Sequence, residues 1–284
     1  MPRRIVLALL SVLVAAAGGC GSGPDLSDRP TDPTQLVLGI AVVHAADSTE
    51  QRLLSSPSSA LFGDGRLFRP GPQVESYPGP ALPSFTVVQL DDGAVEAILK
   101  AAAEAGLLGA DQELRFPVVQ DPAITVFVVF VAGQRHQTVV EALDEVEPDD
   151  PRLSGEAGRQ RQAMKALVAL MANPAAGLPG GVGPETAYEP VGLRILVSPA
   201  QAGGEPSPIA PAVRDWPLAV GLAEFGAALK DRPDARCGTI EGAEFATLFP
   251  LVRESNELTR WSSGGKTYEL RFRPLLPGET GCGA

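Results

Sequence analysis

Short apolar runs, separated by stretches rich in Gly and Pro, dominate the chain from residue 36 onward. Runs of Val, Ile, Leu and Phe are typical of β-strands, because branched and aromatic side chains fit a pleated, half-buried surface. They predict strands at 36–43, 85–90, 124–131 and 191–198. The run ITVFVVFV at 124–131 gives the strongest prediction, since all but one of its residues are apolar.

Three pairs of apolar runs flank tight-turn residues, and this pattern predicts β-hairpins. The first pair, at 59–69, surrounds the turn Gly63-Asp64-Gly65. The second joins 124–131 to 135–143, and the third joins 258–262 to 266–273 across Ser-Gly-Gly. Because strands joined as hairpins are antiparallel neighbours, the sequence predicts antiparallel sheets.

Apolar residues at helical spacing predict four amphipathic helices between these strands. Asp91-Asp92 offers an N-cap to the first helix and Gly106 a C-terminal stop, so a cap explains these carboxylates better than a catalytic dyad does. The third helix is predicted at 218–230, and Pro250 is expected to kink the fourth or to start a new first turn there. The four stripes are Val95, Ile98, Leu99 and Ala102; Met164, Leu167, Val168 and Met171; Leu222, Phe225 and Leu229; and Phe245, Leu248, Phe249 and Val252.

These elements together predict an α+β fold, in which antiparallel sheets built from hairpins are covered by amphipathic helices. The Gly- and Pro-rich stretch 173–185 is the best candidate for a boundary within the body. It would separate an α+β N-terminal half, 35–178, from an α+β C-terminal half, 179–284, unless the two form one continuous domain.

The N-terminus has the pattern of a signal peptide: Arg3 and Arg4, an apolar run at 5–17, and small residues before Cys20. As a helix, this 13-residue run rises about 20 Å, which is short of the ~30 Å hydrocarbon core, so a spanning helix is the weaker alternative. We therefore expect residues 1–19 to be removed on export.

Cys20 closes the sequence Ala-Gly-Gly-Cys, which resembles a bacterial lipobox, although Leu and Ala or Ser are usual where Ala17 and Gly18 stand. The resemblance implies that a diacylglyceryl group is attached to the Cys20 sulfur, and its two acyl chains would anchor the protein stably. Residues 20–34 are polar and rich in Gly and Pro, which predicts a disordered tether. The alternative is an ordinary secreted protein in which Cys20 is incidental.

The other two cysteines, Cys237 and Cys282, form an even pair in a chain predicted to reach an oxidising compartment. A disulfide between them would be worth about 4 kcal/mol in the chain-entropy model. Two unpaired thiols remain the alternative.

The charge of the protein excludes one class of partner. Loss of residues 1–19 would take away Arg3 and Arg4 but no acidic residue, changing the net charge from −11 to −13. An acidic body repels phosphate backbones and anionic headgroups, so we expect no nucleic-acid binding, and membrane attachment only through the lipid on Cys20.

No catalytic, cofactor or metal motif stands out in the sequence. His44 and His136 belong to no HExxH motif, and no GxSxG elbow or P-loop is present. The five carboxylates at 144–150 lack the Gly and the spacing of an EF-hand, so they predict a solvated loop. Trp216 and Trp261 are expected in the core rather than at a binding surface. No cofactor, metal site or catalytic residue is predicted.

Four segments of the chain carry a resemblance to a known group of proteins: 61–66 (LFGDGR), 95–108, 121–143 and 237–282. They look like uncharacterised exported lipoproteins of high-GC Gram-positive (actinobacterial) bacteria, and the resemblance covers most of the mature body. It implies export and a paired Cys237–Cys282, and it carries over no catalytic residue.

These observations predict a non-enzymatic binding or envelope-associated module, lipid-anchored at the extracytoplasmic face of the cell membrane. Its protein or small-molecule partner is not identified by the sequence. Two alternatives remain: the substrate-binding lipoprotein of an importer, and an envelope hydrolase whose site has no recognised motif.

Overall fold

The computed structural model describes residues 25–73, 75–116, 119–200 and 209–282. Within these residues the chain forms two mostly antiparallel sheets and five helices, which confirms the predicted α+β class. Cys20, the predicted signal peptide at 1–19 and the first residues of the predicted tether lie outside the described residues. No helix of the described residues is long and apolar enough to cross a membrane.

The first sheet has the strand order β5-β7-β6-β1-β2-β3-β4-β8, in which only β5 and β7 run parallel. The predicted hairpins at 59–69 and 124–143 both lie in this sheet, so these two predictions are confirmed. Its strands are β1 (Leu36–His44), β2 (Ser59–Phe62), β3 (Arg66–Pro70), β4 (Phe85–Leu90), β5 (Gln112–Leu114), β6 (Ala123–Val131), β7 (Gln134–Glu141) and β8 (Val182–Ala187).

One face of the first sheet is covered by α2 (Asp92–Glu104) and α3 (Gly155–Ala172), the first two predicted helices. Asp91 caps α2, since its Oδ1 accepts a hydrogen bond from the backbone N of Ala94 at 2.8 Å. Gly106 follows the helix at φ +74°, as the C-terminal stop requires. The apolar stripes of both helices pack against buried residues of β1, β4, β6 and β7.

Arg161 of α3 carries a buried charge into this layer. Its guanidinium donates to the backbone oxygens of Glu141, Ala142 and Leu114 and lies over the ring of Phe116. Burial lowers the pKa of Arg161, and the nearby carboxylate of Glu141 opposes that shift. The side chain therefore fastens α3 to the end of the sheet.

The second sheet has the strand order β10-β13-β14-β9-β12-β11, in which only β10 and β13 run parallel. The predicted hairpin across Ser-Gly-Gly is confirmed as β13 and β14. The strands are β9 (Gly192–Pro199), β10 (Val213–Asp215), β11 (Ala227–Ala228), β12 (Arg236–Glu241), β13 (Arg260–Ser263) and β14 (Lys266–Pro274).

One face of the second sheet is covered by α5 (Gly242–Arg253), the fourth predicted helix. The helix continues through Pro250, which lies in its last turn, so the helix does not restart there. The two remaining helices were not predicted: α1 (Thr49–Leu54) has a capping box between Ser48 and Gln51, and α4 is the short helix Pro174–Gly177.

The prediction of a helix at 218–230 is wrong. This segment is a series of turns that ends in β11, although Leu222, Phe225 and Leu229 are buried as the stripe predicts. Gly226 shows why a helix fails here: it has φ +60°, and a Cβ on it would lie 2.1 Å from the carbonyl oxygen of Cys237. The segment follows the edge of β12 instead of coiling.

Two further predictions differ from the structure. The stretch 173–185 is not a simple connector, because it contains α4 and most of β8, and the chain leaves the first sheet only at 188–191.

Residues 25–34, which the sequence assigns to a disordered tether, are instead bound to the first sheet. The backbone N of Ala132 donates to the Asp28 oxygen at 2.6 Å, and Arg29 donates to the Gly63 oxygen at 3.0 Å.

Replacing Gly226 with Ala should lower the free energy of unfolding by about 3 kcal/mol, because the new methyl group meets backbone as well as strain at positive φ. Gly133→Ala is the matched control: Gly133 has φ +67°, but no atom lies within 4 Å of the place that the new methyl group would take. It should cost about 1 kcal/mol. Equal losses in denaturant unfolding would contradict this account of the segment.

Candidate functional site

The predicted disulfide is confirmed: Cys237 on β12 and Cys282 are bonded, with their Cα atoms 5.9 Å apart. The bond fixes the end of a segment, Leu275–Cys282, that follows β14 and that we call the C-terminal segment. This segment leaves the second sheet and crosses to the first, where Leu276 packs against Phe62, Phe68 and Phe85.

Hydrogen bonds hold the C-terminal segment along its length. The Leu275 oxygen accepts a bond of 2.8 Å from the hydroxyl of Tyr188, and burial raises the pKa of that hydroxyl. Gly278 passes so close to Thr34 that a Cβ on it would lie 2.2 Å from the Thr34 oxygen. The Gly281 oxygen accepts a bond from Arg194. The segment is therefore a fixed wall between the two sheets.

Two buried arginines lie under this wall, directly opposite each other on β9 and β14. Arg273 makes a two-pronged ion pair with Glu279, with both N···O distances at 2.8 Å, and its side chain is 3% exposed. Arg194 donates to the Leu53 oxygen of α1 at 2.9 Å. Burial and the charge of Arg273 lower the pKa of Arg194, and Glu279 opposes the shift. Glu279 thus compensates both guanidinium groups.

The other face of the first sheet, opposite α2 and α3, is covered over only part of its width. We call it the outer face. One row of paired residues crosses it: Val128 faces Gly39, Gly39 faces Ala60, and Ala60 faces Phe68. Ala60 and Phe68 are buried beneath Leu276 and Tyr188, whereas Gly39 and Val128 are only half-buried. The cover ends between β2 and β1.

A groove of about 410 Å³ opens where this cover ends. Its floor is the β1–β6 pair, with Gly39 and Ala41 on β1 opposite Val128 and Val126 on β6. Leu36, Pro57, Phe62 and Leu276 form its walls, and Thr34, Ser55, Gly278 and Glu279 lie among the remaining lining residues. We call this site the groove. It falls in the size range of ligand sites, roughly 300–1,000 Å³, and its lining is mainly apolar.

The groove was not predicted from the sequence. A signal for it exists in β6, where residues on both faces are apolar: Phe127 and Val129 are buried under the helices, while Val126, Val128 and Phe130 are half-buried on the outer face. A strand that is apolar on both faces calls for a cover on each side. The sequence does not show that one cover is incomplete.

The two histidines do not meet. His44 pairs with Ala123 at one end of β6 and His136 with Val129, so about 20 Å of strand separates them. His44 Nδ1 lies 3.9 Å from a carboxylate oxygen of Asp47, and His136 Nδ1 lies 2.7 Å from the oxygen of Gly109. Each has a local structural partner.

The acidic residues at 144–150 are spread among separate structural contacts. Glu145 accepts a hydrogen bond from the backbone N of Ala123, and Asp150 binds Arg152, which lowers the pKa of Asp150 to about 2. In the described part of the chain, no three His, Cys, Asp or Glu side chains are grouped so as to hold a metal ion.

Two aromatic residues and one short motif have structural positions. Trp261 and Trp216 lie in the core of the second sheet at right angles to each other, as predicted. Ser263 and Lys266 form a Ser-x-x-Lys match, but they are paired across the β13–β14 turn. The Ser263 hydroxyl accepts a bond from the backbone N of Leu222. A structural role accounts for each of them.

Comparison of the chain with protein-family models, with curated protein sequences and with solved structures gave no match.

Replacing Glu279 with Gln should lower the free energy of unfolding by about 3 kcal/mol, because Arg273 and Arg194 would stay buried without their compensating carboxylate. Glu269→Gln on the preceding strand, β14, is the matched control, since Glu269 pairs with Arg260 at an exposed position. It should cost less than about 1 kcal/mol in the same denaturant titration. If Glu279→Gln also lowered the free energy of unfolding by less than about 1 kcal/mol, the ion pair with Arg273 would not be required for stability.

Proposed function

We propose that this protein is a lipid-anchored, non-enzymatic binding protein of the cell envelope, and that the groove takes a small apolar ligand. The groove is the observation that carries the proposal: an open trough floored by Gly39, Ala41, Val126 and Val128. Water in contact with such a floor is displaced favourably by hydrocarbon, at roughly 25 cal/mol for each Å² of apolar surface covered.

The polar groups around the groove favour binding over catalysis. Glu279 lines it, but its carboxylate accepts hydrogen bonds from Arg273 and from the backbone N of Leu276. Neither His44 nor His136 is among its lining residues. A hydrolase needs a nucleophile, a base and an oxyanion donor converging on one point. The groove instead offers apolar surface with a polar margin.

The architecture gives less support to the alternative function, that of a substrate-binding lipoprotein of an importer. Such proteins usually close two α/β lobes, each with a parallel sheet, around a cleft. Here both sheets are mostly antiparallel, and the C-terminal segment and α1 bind across their junction. Hinge closure would have to break the contact between Leu53 of α1 and Leu196 of β9.

The anchor rests on the leader and on Cys20. A body with a net charge of −13 after cleavage has no electrostatic attraction to anionic headgroups, so the membrane contact must be covalent. Two acyl chains supply enough buried CH₂ groups for stable attachment. Cys237 and Cys282 are paired with each other, which leaves the Cys20 thiol for this modification.

Metabolic labelling with an alkyne fatty acid tests the anchor. We expect wild-type protein to be labelled and to sediment with membranes, and Cys20→Ala to lose both properties. The double variant Cys237→Ala/Cys282→Ala is the control, because it removes the other two thiols and should label like wild type. Equal labelling of wild type and Cys20→Ala would refute lipidation at Cys20.

Titration with the neutral apolar dye Nile red tests the groove. We expect the mature Cys20→Ser protein to bind the dye, and the added Val128→Thr change to raise Kd about tenfold, because it places an unpaired hydroxyl on an apolar floor. Val139→Thr is the matched control: Val139 is half-buried on the same face but outside the groove. Equal Kd values for the two variants would place dye binding elsewhere.

A further inference from the structure

The groove extends toward the N-terminal end of the described chain. A second depression, of about 460 Å³, is lined by Asp28, Arg29 and Pro30 together with Phe130 of β6. It meets the groove at Leu36, which lines both. Phe130 lies on the outer face two residues beyond Val128, so one apolar strip follows β6 from the groove to the segment that begins at Asp25.

That segment is fixed at this end of the sheet. Besides the bond from Ala132 to the Asp28 oxygen, Arg29 makes an ion pair with Asp92 at the start of α2. The side chain of Arg29 is 11% exposed, whereas that of Asp92 is almost fully exposed. Leu26 packs against the core of the first sheet. The chain therefore enters the body beside the groove and not at a distance from it.

Cys20 is within reach of the groove. Five residue steps separate it from Asp25, and a fully extended chain covers at most about 18 Å in that number of steps. Asp28, three residues later, already lines the second depression. A lipid on the Cys20 sulfur would add its own length to this span. The near end of the apolar strip thus lies within the range of an acyl chain carried by Cys20.

The lining also indicates what kind of occupant fits. Glu279 is the ionisable residue among the groove's lining residues, and it is already bound to Arg273. The groove itself therefore provides no cation for a phosphate or a carboxylate, and Arg29 in the adjoining depression is already paired with Asp92. Because Gly39 and Ala41 have small side chains, a depression follows β1 beside the larger Val126 and Val128 of β6. A narrow apolar trough along a strand fits an unbranched hydrocarbon.

We propose that one acyl chain of the lipid on Cys20 lies in this groove while the other remains in the bilayer. The inference rests on the proposed lipidation of Cys20 and identifies the proposed apolar ligand of the groove as that acyl chain. A short linker gives its attached ligand an effective concentration in the millimolar range, so an open groove suffices for an acyl chain that the protein itself carries. The outer face of the first sheet is then turned toward the membrane, with its apolar strip covered.

Photo-cross-linking tests the proposal on the full-length protein in cells. Cells are fed a fatty acid that carries both an alkyne and a diazirine, irradiated, and the labelled protein is digested for mass spectrometry. We expect cross-links from the Cys20 lipid to peptides of β1 and β6. Ala41→Trp should reduce them about tenfold, because the indole would occupy the trough.

Val43→Trp is the matched control, since Val43 lies on the same strand and face but is not a lining residue of the groove. It should leave the cross-links unchanged. Thermal unfolding of both variants checks that each is folded. Equal loss in the two folded variants, or cross-links confined to other peptides, would overturn the proposal while leaving the lipid anchor intact.

A second arm separates the two sources from which an acyl chain could come. Wild-type lipidated protein from unlabelled cells is reconstituted into phosphatidylcholine vesicles whose bulk lipid carries a diazirine-labelled acyl chain, so that the protein stays at the membrane. Little or no cross-linking to β1 and β6 supports the chain on Cys20 as the occupant. Cross-linking at the level obtained with the labelled Cys20 lipid would identify a bulk lipid instead and overturn this inference. In the first arm, wild-type protein without any alkyne label would overturn both this inference and the proposed anchor.

Discussion

The ion pair between the buried Arg273 and the half-buried Glu279 is the contact on which the junction of the two sheets depends. Glu279 holds the C-terminal segment over two guanidinium groups that would otherwise be buried without a counter-charge. The disulfide at Cys282 fixes the end of the same segment. With both in place, Leu276 covers the aromatic cluster of the first sheet and forms one wall of the groove. Stability and the shape of the candidate site therefore share one cause.

Much of the fold could be predicted from the sequence because its signals are local. The 124–131 run, the Asp-Gly turn and the Asp91 cap each carry their information within a few residues. The strand β12 is not evident in the sequence because its residues, RCGTIE, show little apolar alternation, and its longer pairing is with β9, more than thirty residues earlier. The segment 218–230 shows the opposite error: its stripe is genuine, but contact with the Cys237 carbonyl leaves no room for a helix.

The candidate site was predictable only in part. The pairing of Cys237 with Cys282 follows from counting cysteines once Cys20 is set aside. The groove could not be predicted, because Val128 and Phe68 are equally apolar in sequence, and only the course of the C-terminal segment decides which of them is covered. Arg194 and Arg273 gave no signal either, since a lone arginine in a strand is ordinarily solvated.

The edge strands of the two sheets affect how copies of the protein pack when they are crowded on a surface. The first sheet ends in the three-residue β5 and in β8, which contains Pro184; the second ends in β10 and β11, of three and two residues. Such brief or proline-bearing borders expose few amide groups in register for a neighbouring chain. Many copies can therefore stand side by side without merging into continuous β-ribbons.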